Sequence, residues 1–203
     1  MPRVTKLSPQ KNKKYVNVYL DGKYEFGIDL ENLYKFGIKV EREFTDEEID
    51  EIKQAANSNK TLNKLLNFAT IRPRSYKEIT DWFYRQKVTE SIWEELINKL
   101  EKLQLLDDEK FASWWINQRL EFKPRAKQAL KYELRGKGIS SKVIDKAIAD
   151  ANIDEFKLAN RLAQKKLRLL SRYDEETKQK KLVNFLKSKG FNWGIIKEIL
   201  EEM

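Results

Sequence analysis

An internal repeat constrains the fold of this chain more than any other feature. Arg72-Pro73-Arg74-Ser75-Tyr76-Lys77-Glu78-Ile79 recurs 51 positions later as Lys123-Pro124-Arg125-Ala126-Lys127-Gln128-Ala129-Leu130. At that offset Phe83 aligns with Leu134, Val88 with Ile139, Ile92 with Val143 and Leu96 with Ala147. A further 52 positions carry Leu130 to Leu182, Leu134 to Leu186 and Lys137-Gly138-Ile139 to Lys189-Gly190-Phe191. Apolar residues within each copy follow the helical period. A period near 50 residues predicts stacked copies of one helical unit, each sharing its core with the next. The expectation is a mainly α fold. Three tandem three-helix repeats, residues 59–106, 107–152 and 153–203, form an elongated, curved array.

Residues 1–58 read differently. Tyr15–Leu20 and Lys23–Ile28 alternate in polarity around Asp21-Gly22, a strong hairpin signal. A three-residue Leu20-Asp21-Gly22 loop would set Val18 opposite Tyr24 and Val16 opposite Phe26, with Gly22 left-handed. Asp29 is expected to cap a short helix, Leu30–Phe36, that stops at Gly37. Thr45-Asp46-Glu47-Glu48 is a capping box opening a further helix, which Asn57-Ser58-Asn59 should break.

Composition excludes several chemistries. The chain has no Cys and no His among its 203 residues. Disulfides, thiol nucleophiles, cysteine-based zinc sites, imidazole bases and imidazole ligands are therefore absent. A catalytic reading would rest on carboxylates and Lys alone. No catalytic, metal or cofactor site is expected. No stretch reaches the ~18 apolar residues of a membrane span, and no apolar signal core follows the N-terminus, which predicts a cytoplasmic protein.

The net charge of +9 is unevenly spread. Residues 1–59 carry −1 and 60–108 carry +1, whereas 109–153 carry +5 and 154–203 carry +4. Such asymmetry points to a polyanionic partner, or simply to a solubilising surface. Two series sharpen it. Lys123, Lys127, Lys131 and Arg135 are spaced by four, with Arg125 nearby. Arg161, Lys165, Arg168 and Arg172 are spaced by four, three and four. Each spacing lines one side of a helix, and both are expected on polar sides. Faces of like charge do not help folding, so both series are candidates for binding a polyanion or an acidic protein groove.

Other signals read as structural. Ser75-x-x-Glu78 is a capping box after Pro73. Asp107-Asp108 sits at a helix start, where capping and the helix dipole account for it. Gly136-x-Gly138 follows a helix and not a strand, so Gly138 is expected to end that helix in a left-handed conformation. Phe111, Trp115 and Ile116 form an apolar stripe, and Trp114 projects about 100° away from Trp115.

Taken together, three stretches resemble the RecX family. They are Arg72-Pro73-Arg74-Ser75-x-x-Glu78, then Leu105-Leu106-Asp107-Asp108-x-x-Phe111-Ala112-x-x-Trp115-x-x-x-Arg119, then Glu133-Leu134-x-x-Lys137-Gly138-Ile139. The resemblance covers residues 60–203, and the hairpin resembles the family's front segment. It implies a non-enzymatic modulator of RecA, most often an inhibitor, that binds the RecA–DNA filament; no cofactor is expected, and the chain is expected to be a monomer. DNA itself, single- or double-stranded, is a second implied contact. A helical protein acting directly on DNA or RNA is the alternative. A carboxylate-dependent enzyme is a third class.

Overall fold

The computed structural model describes residues 1–11 and 13–202. The chain divides into two compact units, one of residues 1–71 and 88–96, the other of residues 72–87 and 97–203.

The first unit opens with a three-stranded antiparallel sheet, β1 (Val4–Pro9), β2 (Tyr15–Leu20) and β3 (Lys23–Asp29), in that spatial order. Strand β1 extends the expected hairpin. Its sequence carries only Val4 and Leu7 as apolar signals. It is held because Val4 is fully buried and Leu7 lies opposite Val18.

The hairpin register differs from the expectation. Leu20 pairs with Lys23 across a two-residue turn in which Asp21 and Gly22 have φ of 47° and 82°. Two positive φ values match the twist of the flanking strands, so the short turn wins. The register then shifts between Tyr19 and Val18, leaving Glu25 as the extra residue of a bulge. Val18 therefore faces Phe26, not Tyr24, and Val16 faces Ile28, not Phe26. An apolar face is matched as expected, but a bulge supplies the correction and not a longer loop.

Helix α1 (Leu30–Lys35) starts at Asp29, which accepts from the Asn32 N–H at 3.0 Å, and Gly37 follows it at φ 58°. Helix α2 (Asp46–Thr70) opens on a complete capping box. Thr45 Oγ1 accepts from the Glu48 N–H at 3.2 Å, and the Thr45 N–H donates to Glu48 Oε2 at 2.8 Å. The expected break at Asn57-Ser58-Asn59 does not occur. Ile49, Ile52, Ala56, Leu62, Leu65 and Ala69 are all buried along α2. Burial on that scale outweighs the few tenths of a kcal/mol per residue that Asn and Ser lose in a helix. The 58/59 position lies inside α2 as a result. The unit's core gathers Val4, Val18, Ile28, Ile38, Phe44, Ile49 and Ile52.

The second unit is helical. It holds α3 (Tyr76–Gln86), the end of α4 (Trp93–Lys102), α5 (Asp108–Phe122), α6 (Lys127–Gly136), α7 (Ser141–Asp150), α8 (Glu155–Leu169), α9 (Glu175–Ser188) and α10 (Trp193–Glu201). A 3-10 turn, Glu90–Ile92, precedes α4. The repeat frame is visible residue by residue. Phe83, Leu134 and Leu186 occupy its equivalent positions in α3, α6 and α9, and each is fully buried. Each of those helices is followed by a left-handed residue at the same frame position: Lys87 (φ 55°), Gly138 (φ 82°) and Gly190 (φ 88°). The next helix is capped alike in the last two copies. Ser140 Oγ accepts from Val143 N–H, and Asn192 Oδ1 accepts from Ile195 N–H. One core, including Phe111, Ile116, Leu130, Leu134, Ile144, Leu182, Leu186 and Ile196, runs through α5–α10.

Candidate functional site

The residues of the recurring motif converge on one joint. Ser75, the N-cap of α3, accepts from the Glu78 N–H through Oγ, and the same hydroxyl donates to the Lys137 carbonyl at 2.8 Å. The turn at Lys137-Gly138 is thereby docked on the start of α3. Gly138 is needed there twice over. Its φ is left-handed, and a Cβ would lie 2.7 Å from Lys77 Cβ. The third copy repeats the contact one domain on. The Ala126 N–H donates to the Lys189 carbonyl at 2.9 Å, and a Cβ on Gly190 would lie 2.6 Å from Ala129 Cβ.

Acidic residues at the starts of the leading helices complete both joints. Asp107 caps α5 through the Glu109 and Lys110 N–H groups, as the adjacent carboxylates suggested. Asp108 does something else: its Oδ1 accepts the Tyr76 N–H of α3 at 3.0 Å. Glu155 Oε1 accepts the Lys127 N–H of α6 at 2.9 Å in the equivalent way. Burial, and then the neighbouring Asp107 charge, push the Asp108 carboxyl up to about 6.

Glu78 departs from the expected capping box. Its carboxylate does not return to the Ser75 N–H. It takes both Arg72 guanidinium nitrogens at 2.8 and 3.1 Å and Lys137 Nζ at 2.7 Å, with Arg74 Nη1 at 4.0 Å. Burial pushes its pKa up, but the hydrogen bonds from Arg72 and Lys137 outweigh that and hold it below the usual value. Arg74 is itself buried, which lowers its pKa.

A second carboxylate hub lies nearby. Glu133 accepts from Trp115 Nε1 at 2.9 Å and Arg119 Nε at 2.7 Å, and Arg125 Nε reaches it at 2.8 Å. Trp115 stacks on Phe111 at 5.8 Å between centroids, with Arg119 and Lys137 over its ring at 4.3 and 5.0 Å. Trp114 carries Arg72 at 5.5 Å. The motif residues Arg72, Arg74, Asp108, Phe111, Arg119, Lys137 and Gly138 thus form a compensated, partly buried network that fastens helices together. Glu78, Trp115 and Glu133 stand in the three stretches that resemble the family, yet the sequence assigns them no site role. The available signal was Trp115 and Arg119 at helical spacing with no local acid to pair them.

The two basic series fare differently. The first is not one helix face. Lys123 is the C-cap of α5, and α6 begins only at Lys127. Lys127 and Lys131 are half-buried beside Leu130 and Leu134, not opposite them. Lys131 is paired with Asp145 at 2.6 Å, and Arg125 with Glu133. Only Lys123 and Arg135 of this set are exposed. In the second series Arg161, Lys165 and Arg168 all lie exposed on α8, and Arg172 follows in the next turn. Among the described residues none of Arg161, Lys165 and Arg168 has an acidic partner within salt-bridge distance. No group of three or more acidic side chains is placed to hold a metal ion among the described residues. No helix among them is long and apolar enough to cross a membrane.

Fold and joints together define a protein of tandem three-helix domains behind a small N-terminal sheet. Comparison with known sequences and structures agrees in detail. Residues 2–45 match the regulatory protein RecX N-terminal domain, residues 107–148 the second three-helix domain of RecX and residues 153–200 its third. The regulatory protein RecX of Bacillus licheniformis is 30% identical over 204 residues, covering 100% of this chain and 78% of that protein. That of Bacillus subtilis is 30% identical over 208 residues, again across 100% of this chain and 78% of its own length. A crystal structure of regulatory protein RecX superposes with a TM-score of 0.68 at 26% identity, over 99% of this chain and 100% of that one. RecX from Lactobacillus salivarius gives 0.60 at 27% identity, over 71% and 94%. The chain belongs to the RecX family of regulatory proteins.

Proposed function

We propose that this chain is a cytoplasmic, monomeric regulator that binds the RecA–DNA filament and lowers its ATP hydrolysis and strand exchange by binding alone. The partner follows from the family resemblance. The observation that carries binding is the row Arg161, Lys165 and Arg168, three exposed cations on one helix without an acidic partner among the described residues. Elsewhere in the helical unit several bridging cations are matched: Arg119 and Arg125 to Glu133, Lys131 to Asp145, Lys146 to Glu109, and Arg72 and Lys137 to Glu78. A row left unmatched raises the potential where a polyanion would approach.

The domain organisation suits such a role. Residues 59–106, 107–152 and 153–203 act as three successive three-helix modules, of which the last two share one core. Co-sedimentation with RecA filaments on single-stranded DNA, formed with a non-hydrolysable ATP analogue, tests the proposal. The chain should pellet with filaments more strongly than with RecA alone, and should slow RecA ATP hydrolysis in a parallel assay. Equal recovery with free RecA, or an unchanged hydrolysis rate at saturating protein, would exclude filament regulation.

A further inference from the structure

A groove of about 480 Å³ opens between the end of α8 and α9, lined by Lys166, Leu169, Arg172, Tyr173, Lys181 and Phe185, with Leu170 and Asn184 beneath and beside them. Its charged lining is cationic throughout. Lys181 Nζ stands 4.8 Å from the Tyr173 ring centre and the Arg172 guanidinium 5.2 Å from it. Lys166 and Lys189 stand 5.4 and 5.3 Å from the Phe185 ring centre. Lys166, Arg172 and Lys181 thus line the groove with the two rings, Lys189 adds a fourth cation beside Phe185, and no acidic side chain is among the described residues that line it. Leu169 is 69% exposed at its edge. The same field acts on Tyr173: a hydrogen bond from Arg172, then the charges of Arg172, Lys181 and Lys166, hold its hydroxyl below the usual tyrosine range.

Gathering three like charges along one groove is unfavourable, and an entering anion relieves it. What kind of anion is set by the rest of the lining. An acidic peptide would satisfy the cations and leave the rings and Leu169 unused. A nucleotide uses both: its phosphate draws the cations that lie over the rings, and its base takes the aromatic face they leave. Paired cationic and aromatic lining is how single strands are held without sequence preference. The groove also does not end at one nucleotide. From Arg172, in the turn after α8, the cations continue into Arg168, Lys165 and Arg161, a row that spans roughly 10 Å along α8 at ~1.5 Å per residue. One mononucleotide cannot cover that length, whereas a strand can.

We propose that the α8–α9 groove seats one nucleotide of a single-stranded nucleic acid, whose neighbouring phosphates lie along Arg168, Lys165 and Arg161. This deepens the reading of the chain as a filament regulator, and rests on it for the strand's source, by naming the part of a nucleoprotein target that the third domain grips. The test omits RecA so that the two readings fail separately. Full-length protein is titrated into a labelled oligodeoxythymidylate of about 15 nucleotides, within the span of small single-strand sites. Tyr173→Ala should weaken binding roughly 5- to 150-fold, the range of one lost base stack, while Tyr173→Phe binds like wild type. The double variant Lys166→Ala/Lys181→Ala should make the log–log salt slope shallower by about 0.7 for each phosphate it no longer neutralises. Lys180→Ala, a neighbour paired instead with Glu176, should change neither. Unchanged affinity in a Tyr173→Ala protein with wild-type circular dichroism and melting would overturn the seat. Displacement of the oligonucleotide by equimolar free thymidylate, counted per nucleotide, would overturn the strand in favour of a free nucleotide. Capture of polyglutamate but not of the oligonucleotide would overturn it in favour of an acidic protein.

Discussion

Tyr76 and Lys127 stand 51 residues apart and give their helix-terminal N–H groups to the same kind of partner: Asp108 for the first, Glu155 for the second. Each acid is the first residue of the following leading helix, so each domain is capped by the next. An α-helix leaves its first N–H groups without intrahelical partners. A capping acid carried on the neighbouring domain makes those groups depend on docking. The Lys137-Gly138 and Lys189-Gly190 turns press on the starts of α3 and α6 beside these bonds. The joint is thus a reusable unit of one turn, one helix start and one acid.

Gly138 is the sharpest test of that unit. Gly138→Ala forces a left-handed φ on a residue with a Cβ and drives that Cβ against Lys77. Left-handed backbone costs a non-glycine residue about 1–2 kcal/mol, and the close approach adds to it. Thermal or urea denaturation should show a loss of about 2–3 kcal/mol. Gly136→Ala, where a Cβ meets nothing within 4 Å, should be neutral or slightly stabilising because α6 extends through that position. Equal midpoints for the two variants would mean that the turn is not docked on α3.

Glu78 carries the electrostatics of the same joint. Its folded pKa lies below its unfolded value, so it contributes stability above the unfolded pKa of about 4.3, and that contribution is lost as pH falls through the folded value. Glu78→Gln keeps the shape but leaves Arg72 and Lys137 without a carboxylate. Breaking a well-buried pair costs about 3–5 kcal/mol. Here Glu78 is 12% exposed and its partners about 30%, so solvent screening reduces the loss to about 1–3 kcal/mol at pH 7. The variant should differ most from wild type at neutral pH and converge with it in melting experiments as pH falls through the folded value.

Asp108 has the opposite sign. Its folded pKa of about 6 lies above the unfolded value near 3.9, so the folded chain holds this proton more tightly. Its contribution is therefore largest at low pH and declines as pH rises from about 4 to 6. Asp108→Asn retains an oxygen for the Tyr76 N–H and removes the charge beside Asp107. The variant should show a shallower decline in melting temperature across that window than wild type. A steeper decline would show that the α3 terminus holds the Asp108 charge more strongly than burial opposes it.

What the sequence disclosed about these groups follows the range of the forces involved. The repeat frame was legible because a buried position every 51 or 52 residues leaves a direct mark: Phe83, Leu134 and Leu186 are apolar in each copy. The left-handed turn was marked by glycine in two copies, while Lys87 reaches the same conformation without that signal. Local rules erred where a distant partner took over. Ser75-x-x-Glu78 satisfied the capping pattern, yet Lys137, 59 residues away, claims the carboxylate. Asn57-Ser58-Asn59 looked like a break, but buried residues on both sides hold α2 through it. The β3 bulge at Glu25 could not be read from alternation, because a strand pattern does not say where a residue is skipped. The α8–α9 groove was missed because Tyr173 and Lys166 flank a turn. Lys181, Phe185 and Lys189, spaced by four, were the trace it left.

The two basic series, alike in spacing, should separate in experiment. Lys127, Lys131 and Arg135 reversed to Glu put negative charge beside Leu130 and Leu134 and set Lys131→Glu against Asp145. That triple variant should lose stability, and any weaker binding in it would be ambiguous. Arg161, Lys165 and Arg168 reversed to Glu sit exposed on α8 and break no ion pair found among the described residues. Its circular dichroism should match wild type, with a midpoint shifted by no more than the roughly 0.5 kcal/mol typical of surface changes. Its recovery with RecA filaments should fall sharply, and the remaining binding should depend less steeply on salt, since each phosphate left unneutralised on a single strand lowers the log–log slope by about 0.7. A shallow salt dependence already in the wild type would instead assign the row to an acidic face of the filament protein. A folded α8 triple variant that suppresses RecA ATP hydrolysis at wild-type concentrations would remove the row from the binding surface altogether, and would leave the exposed Trp193, with Lys187 Nζ 5.3 Å from its ring centre, as the next surface to alter.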